Sequence, residues 1–258
     1  MGEINLDPIT TSAISRVTTE VVDVAKKSKE PKKTFDDIWY LTFGRLGLTA
    51  DKLRFKHQVD LDNYKNSIIE KIESIPAENL QEPKMSIVGP ALDAARFYIE
   101  EDVLREMFAE VISASFDKTK SEFTHHSFVE IIKQISPTEA KILKLFNEEL
   151  ELPIVRYEIA SSKGSFFDLG QVIFQGFLDD LVSGDEYSIE ISNLERLNLI
   201  RTNTRYYLKD QQKYDFFEQT TFYKAMLKLY EPQSREIKII KGVLEPTPFG
   251  ESFLRVCI

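Results

Sequence analysis

Few side chains in this 258-residue chain have the type and spacing to do chemistry. His125 and His126 are adjacent, and Glu130 lies one helical turn beyond His126, a spacing that could begin a metal site. The set stops there, because His57 and Cys257 lie far away in sequence. A His pair at a helix start, structural or exposed, is the favoured reading, and no metal is expected. The run Glu100-Glu101-Asp102 falls at a helix start, where exposed amides and the helix dipole favour negative charge without any catalytic role. Neither GxGxxG nor GxxxxGK[ST] occurs, and no GxSxG elbow does. The chain therefore shows no catalytic residue, no cofactor and no evident small-molecule substrate. A non-enzymatic protein is expected, although a reaction assembled from dispersed residues carries no such signature.

A second chemistry is nucleic-acid recognition. The stretch SNLERLNLIRTNTRYYL, from Ser192 to Leu208, reads as an amphipathic helix, an Asn stop and a strand. That is how the third helix of a winged-helix domain hands over to its wing. Asn193, Arg196, Arg201 and Arg205 are the candidate contacts, with Lys209 beyond them. A reading helix needs donors on its outer face and cations beside phosphates. Here the outer face offers Glu190 and Glu195 as well, and Asp179, Asp180, Asp185 and Glu186 precede it. The net charge of −9 also repels a polyanion, so nucleic acid is a disfavoured partner.

These residues must be positioned by folded elements, and the composition allows them. With 42% hydrophobic residues, 18 Phe and 10 Tyr, the chain can bury one large core or two modest ones. No apolar run is long enough to span a bilayer, and the N-terminus lacks the basic start and apolar block of a secretory signal. The myristoylation pattern is incomplete as well. The single Cys257 excludes an internal disulfide framework, and a cytoplasmic location is expected.

Residues 1–33 read as a helix over Thr10–Val24 followed by the basic linker KKSKEPKK. Residues 34–135 read as an α-helical bundle. A first stretch holds Trp39, Leu41, Phe43, Leu46 and Leu48, interrupted by Gly44 and Gly47. A long helix capped by Thr49 carries the stripe Leu53, His57, Leu61, Tyr64, Ile68, Ile72 and Ile75. Its near-heptad step suits pairing with another helix, within or between chains, with ordinary bundle packing the favoured reading. Trp39, Leu53, Leu61, Tyr64 and Ile68 form the candidate partner surface. Pro90 is expected in the first turn of its helix. Leu104, Met107, Phe108, Val111, Ile112 and Phe116 give the clearest amphipathic pattern.

At Ser136-Pro137-Thr138-Glu139 a capping box opens a second domain, residues 136–258. Its reading is helix, β-like Pro153–Ile159, a helix over Leu169–Leu181 with Val172, Ile173, Phe177 and Leu181 inward, a helix starting at Ser188 or Ser192, a strand running to Tyr207, a second strand at Glu236–Leu244, and a closing helix capped by Thr247. Asn198 is expected to end the Ser192 helix in the left-handed conformation. An inserted helix near 213–230 sits between the wing strands. The fold class expected is mainly α, an N-terminal helical bundle followed by an elaborated winged-helix-like α+β domain.

The segment from Ile75 to Leu143 resembles the Abi-alpha family of bacterial abortive-infection proteins. Pro76 with Glu78-Asn79, the Gly89-Pro90-Ala91 turn, Leu104-Arg105-Glu106-Met107-Phe108, the run His126–Ser136 and the terminal Thr247-Pro248-Phe249-Gly250 with Cys257 carry the likeness. It extends over about residues 35–258, densest over 76–146. Asn198 stands where such proteins usually show Gly. The resemblance implies defence against bacteriophage, by halting growth or killing the infected cell. It carries no catalytic residues. Taken with the near-heptad helix, it leads to the expectation of a function run through protein contacts, with a protein partner or self-association; a DNA-binding regulator, from the winged-helix order, is the alternative.

Overall fold

Apolar side chains three and four residues apart make the first part of the chain helical. The computed structural model describes residues 31–43, 51–160, 166–168, 172–233 and 235–258. They divide into two compact units, one ending at Gln134 but including Arg255–Cys257, the other running from Ile135 to Leu254 with Ile258. The described residues are mostly helical, with one small antiparallel sheet.

The first unit contains α1 (Pro31–Phe43), α2 (Asp51–Glu73), α3 (Met85–Ala95), α4 (Asp102–Phe116), α5 (Lys118–Ser121) and α6 (Ser127–Ile132). Helix α4 is its centre, with Leu104, Met107, Phe108, Val111, Ile112 and Phe116 all buried. Ala91, Ala94 and Ala95 of α3 are buried as well, and their small side chains let α3 pack closely on α4. Lys71 of α2 pairs with Glu106 at 2.5 Å and Glu110 at 2.6 Å on α4.

Two expectations change here. Helix α1 begins at Pro31, so Lys32 and Lys33 form its first turn and not a linker; Lys32 pairs with Glu73 at 2.7 Å. Pro suits that position because a first-turn amide has no intrahelical partner. Pro90 instead lies inside α3. Its missing N–H and ring clash cost roughly 3 kcal/mol in a helix interior. Burial of Ile87, Val88, Ala91 and Leu92 around it opposes that cost. The Thr10–Val24 helix, the Thr49 cap and the Gly44–Leu48 segment lie outside the described residues.

The second unit opens with α7 (Pro137–Lys144), held by the expected capping box. The Ser136 hydroxyl accepts from the Glu139 N–H, and the Glu139 carboxylate accepts from the Ser136 N–H. The sheet comprises β1 (Leu152–Ala160), β2 (Phe166–Asp168), β3 (Ile173–Phe174), β4 (Ile200–Asn203) and β5 (Glu236–Pro246). Its order is β2-β1-β5-β4, with β3 also paired to β1. Strands β1 and β5 run antiparallel from Leu152↔Leu244 to Ala160↔Glu236, and β4 pairs β5 from Ile200↔Pro246 to Asn203↔Val243.

Alternation along β1 sends Val155, Tyr157 and Ile159 to one face and Leu152 and Ile154 to the other. An aromatic layer from α9 (Asp215–Gln219) and α10 (Thr221–Tyr230) covers the first face, burying Phe217 and Met226 beside Tyr157. The Tyr157 hydroxyl donates to the Phe217 carbonyl at 2.8 Å, and the Tyr214 hydroxyl donates to the Gly242 carbonyl at 2.8 Å.

Helix α8 (Ser188–Arg196) ends as its residues require. Asn198 is left-handed at φ 56°, the Leu199 N–H bonds the Leu194 carbonyl at 3.0 Å, and the Asn198 N–H bonds the Glu195 carbonyl at 2.8 Å. These two bonds and the buried Leu194 and Leu199 make a Schellman cap. The chain closes with α11 (Pro248–Cys257), capped by Thr247, whose hydroxyl accepts from the Gly250 N–H at 2.9 Å.

Three sequence expectations for this unit fail. The helix over Leu169–Leu181 is absent among the described residues: Ile173 and Phe174 form β3 on the edge of β1, turns follow, and Phe177 is exposed. Gly176, at φ +57°, breaks helical continuation. The inserted helix over 213–230 is split at Thr220, which turns extended and caps α10 with its hydroxyl. The strand expected to reach Tyr207 stops at Asn203, whose side chain accepts the Arg205 N–H at 3.0 Å in a local turn.

Candidate functional site

The candidate nucleic-acid contacts sit on α8 and the sheet edge beside it. Asn193 gives its amide to the buried Glu139 carboxylate at 2.6 Å. Its carbonyl accepts from Arg196 Nε at 2.9 Å and from a terminal guanidinium nitrogen at 2.7 Å. Arg201 faces Glu245 in the β4–β5 register and bonds it at 2.8 Å. Glu195 accepts both the N–H and the hydroxyl of Thr202, tying α8 to β4. The structure thus joins Asn193 to Arg196, seats Arg201 on a carboxylate, and leaves Arg205 exposed at the turn. Three of the four side chains meant to meet DNA are engaged within the unit.

The acidic residues before α8 organise its approach. Asp180 accepts the Thr221 N–H and hydroxyl and the Leu181 N–H. The Thr221 hydrogen bonds hold its carboxyl below the ordinary range. Glu186 accepts the Val182 and Ser183 N–H groups at 3.0 and 2.8 Å. Tyr187, left-handed at φ 60°, leads into the helix and stacks edge-on against Phe177.

Around this start stand three large apolar side chains in solvent: Ile189 at 80% exposure, Val182 at 71% and Phe177 at 50%. Of the three, Ile189 also lines a shallow groove along α8 with Ser188, Ser192, Asn193 and Arg196. None of the three apolar residues was marked as a site from sequence. A signal existed for Ile189, which lies two residues before Ile191 and so out of phase with the buried Ile191–Leu194 face.

The candidate partner surface of the first unit is placed differently. Tyr64 and Ile68 are buried, at 1% and 0% exposure, so they are core residues of their own unit. Trp39 is half-buried and packs against Phe35 and Tyr64, with ring centroids 5.9 and 5.8 Å away. Leu61 is half-buried, and the side chain of Leu53 lies outside the described residues. Among the described side chains, the near-heptad stripe is consumed largely by packing inside the chain.

A second surface in the same unit as α8 carries no sequence signature. A cleft of about 360 Å³ has Phe146, Leu150, Pro246 and Leu254 as its apolar lining, with Glu151, Glu245 and Glu251 around it. Glu151 and Glu245 lie one step beyond the Leu152 pair with Leu244 and at that strand end, where like charges meet. The Tyr206 hydroxyl lies 2.8 Å from Glu151 and 2.6 Å from Glu245. The bond to Glu245, with burial and the Glu151 carboxylate, holds the Tyr206 phenol above its ordinary range. Burial pushes the Glu245 carboxyl up, but hydrogen bonds from Tyr206, Asn203 and Arg201 outweigh it and leave it below the ordinary range. Glu245 is therefore a weak proton acceptor near neutral pH and a poor candidate for acid–base work.

The remaining sequence candidates have local roles. His125 is exposed, and its Nδ1 accepts the Ser127 N–H at 3.1 Å at the start of α6. Glu130 pairs with Lys133 at 2.8 Å. Among the described residues no cluster of His, Cys, Asp and Glu is arranged to hold a metal ion. Cys257 is buried, and burial pushes its thiol well above the ordinary range, away from reactivity.

These features define a mainly helical protein with a small antiparallel sheet, and no described helix is long and apolar enough to cross a membrane. The family model described as abortive infection alpha matches residues 56–257, and the chain belongs to that family. No curated protein and no solved structure matches it.

Proposed function

We propose that this abortive-infection protein defends against phage by binding another protein, or a second copy of itself, through the surface at the start of α8. The observation that carries the reading is the solvent-exposed trio Ile189, Val182 and Phe177. Exposed apolar groups at one place mark contact surfaces in soluble proteins.

The reading treats the second unit as a winged-helix variant. Supporting this are the β1-β5-β4 order and the passage from α8 through Asn198 into β4. Two DNA-binding parts are altered in such a variant. Strand β3 and turns stand where a backbone-contacting helix would lie, and the β4–β5 connection folds as helices over the sheet instead of projecting as a wing. An apolar patch and engaged arginines suit a protein partner better than a phosphate backbone.

Phage-challenge plating tests this with the wild type and with Ile189→Asp and Val182→Asp. Both variants are expected to fold normally, by circular dichroism, and to lose protection. Light scattering after size exclusion should lose any self-association or co-purifying partner with it. Undiminished protection would sink the reading, as would low-salt binding of duplex DNA that Arg196→Ala or Arg201→Ala weakens.

A further inference from the structure

We infer that the cleft between β5, the N-terminal part of α11 and the segment entering β1 binds a partner's peptide segment in which an aliphatic side chain stands beside Lys or Arg. The inference rests on the protein-contact reading but uses a surface separate from the start of α8. Leu150 is 80% exposed at the cleft and adjoins Glu151, so an apolar contact and a carboxylate are offered side by side. No residue lining the cleft is basic. Glu245 is matched by Arg201, while Glu251 is exposed on the first turn of α11. The Tyr206 hydroxyl gives its one proton to Glu245 at 2.6 Å and stands 2.8 Å from Glu151, so the Glu151 carboxylate lies at the rim beside an already bonded neighbour. A volume near 360 Å³ accommodates a side chain or two and not a folded element. Charge complementarity selects the occupant. An acidic or neutral peptide would leave the Glu151 and Glu251 carboxylates facing water or like charge, whereas a cation beside the aliphatic group meets both chemistries at once.

The test uses the full chain and a short fluorescein-labelled peptide alternating Leu with Lys, with a twin in which Glu replaces each Lys. Fluorescence anisotropy should show binding of the Lys peptide only, weakening as salt rises. Because the whole protein is acidic, Glu82→Lys, an exposed position in the other unit, serves as a control of equal charge change. Glu251→Lys should weaken binding roughly tenfold, and Glu82→Lys far less. Amide shifts in an NMR titration should centre on Leu150, Glu251 and Leu254. Equal weakening by the two substitutions, equal binding of the twin peptides, or no binding overturns the inference. None of these outcomes bears on Ile189→Asp in the plating assay, so the two readings fail separately.

Discussion

Gly250 on the first turn of α11 lies so close to Leu199 that an added Cβ would stand 1.7 Å from the Leu199 carbonyl oxygen. That oxygen is backbone and also accepts the Thr247 N–H at 3.0 Å, so it cannot swing aside as a side-chain end could. The close approach locks the end of α8 to the start of α11.

Gly250→Ala is therefore expected to destabilise the protein by about 1–3 kcal/mol or more, the usual scale for overpacking a fixed site. Thr247→Ala, which removes the cap and the hydroxyl's hydrogen bond to the Asn198 carbonyl, should cost about 1–2 kcal/mol. Urea unfolding monitored by circular dichroism reads both. A Gly250→Ala midpoint equal to wild type would mean that the two segments do not meet.

Asn198 gives the opposite expectation. Its left-handed backbone suits Gly, which has no Cβ to clash there. Asn198→Gly should leave stability within a few tenths of a kcal/mol of wild type, and Asn198→Val should lose about 1–2 kcal/mol. Thermal unfolding of the pair checks the difference; a Val variant as stable as the Gly variant would contradict the observed conformation.

These caps could be read from sequence because each is a local rule. Ser136 with Glu139, Asn198 after Leu194, and Thr247 with Gly250 are settled within a turn or two of helix. The Leu169–Leu181 segment could not be read this way. Its apolar spacing fits a helix, but Ile173 and Phe174 answer the edge of β1, far back in the chain, and Gly176 then turns the backbone. Sheet pairing overrode local pattern there. The cleft was illegible for the same reason: Glu151 and Glu245 come together only because of the β1–β5 register. Arg201 looked like a phosphate ligand until the β4–β5 register set it against Glu245. Tyr64 and Ile68 show a different limit. Their periodicity revealed an apolar stripe, but periodicity alone does not say whether the facing helix is in the same chain.

Glu245 makes stability depend on pH with a definite sign. Burial alone would favour its neutral form, and the Tyr206, Asn203 and Arg201 hydrogen bonds reverse that, so its folded-state pKa is depressed. A depressed carboxyl contributes stability above its unfolded value and loses it as pH falls through the folded one. Wild type should therefore lose stability on acidification across the ordinary Glu range and below. Glu245→Gln should show a shallower acid limb, and Arg201→Ala, which removes one of the opposing hydrogen bonds and its charge, should move in the same direction. Urea midpoints from neutral to acid pH decide it; parallel profiles for wild type and Glu245→Gln would remove Glu245 from the balance.

The helical layer over the sheet depends on two hydroxyls that do different work. Tyr214 donates to the Gly242 carbonyl and accepts the Leu208 N–H at 3.0 Å, so it joins β5 to the segment entering the layer. Tyr157 donates to the Phe217 carbonyl and makes the reciprocal tie from β1. Tyr214→Phe keeps the ring but strips partners from a carbonyl and an amide, at a cost of about 1–3 kcal/mol for each one left buried. Tyr157→Phe leaves the Phe217 carbonyl still bonded by the Thr220 hydroxyl at 3.2 Å, so it should cost less. If the layer is an integral part of the sheet's core, both variants should unfold in one cooperative transition at lower urea. Hydrogen exchange should then show α9 and α10 opening together with β1. Early exchange confined to α9 and α10, with β1 still protected, would instead make the layer an independently opening lid, and the reading of the β4–β5 connection as a fixed cover would fall.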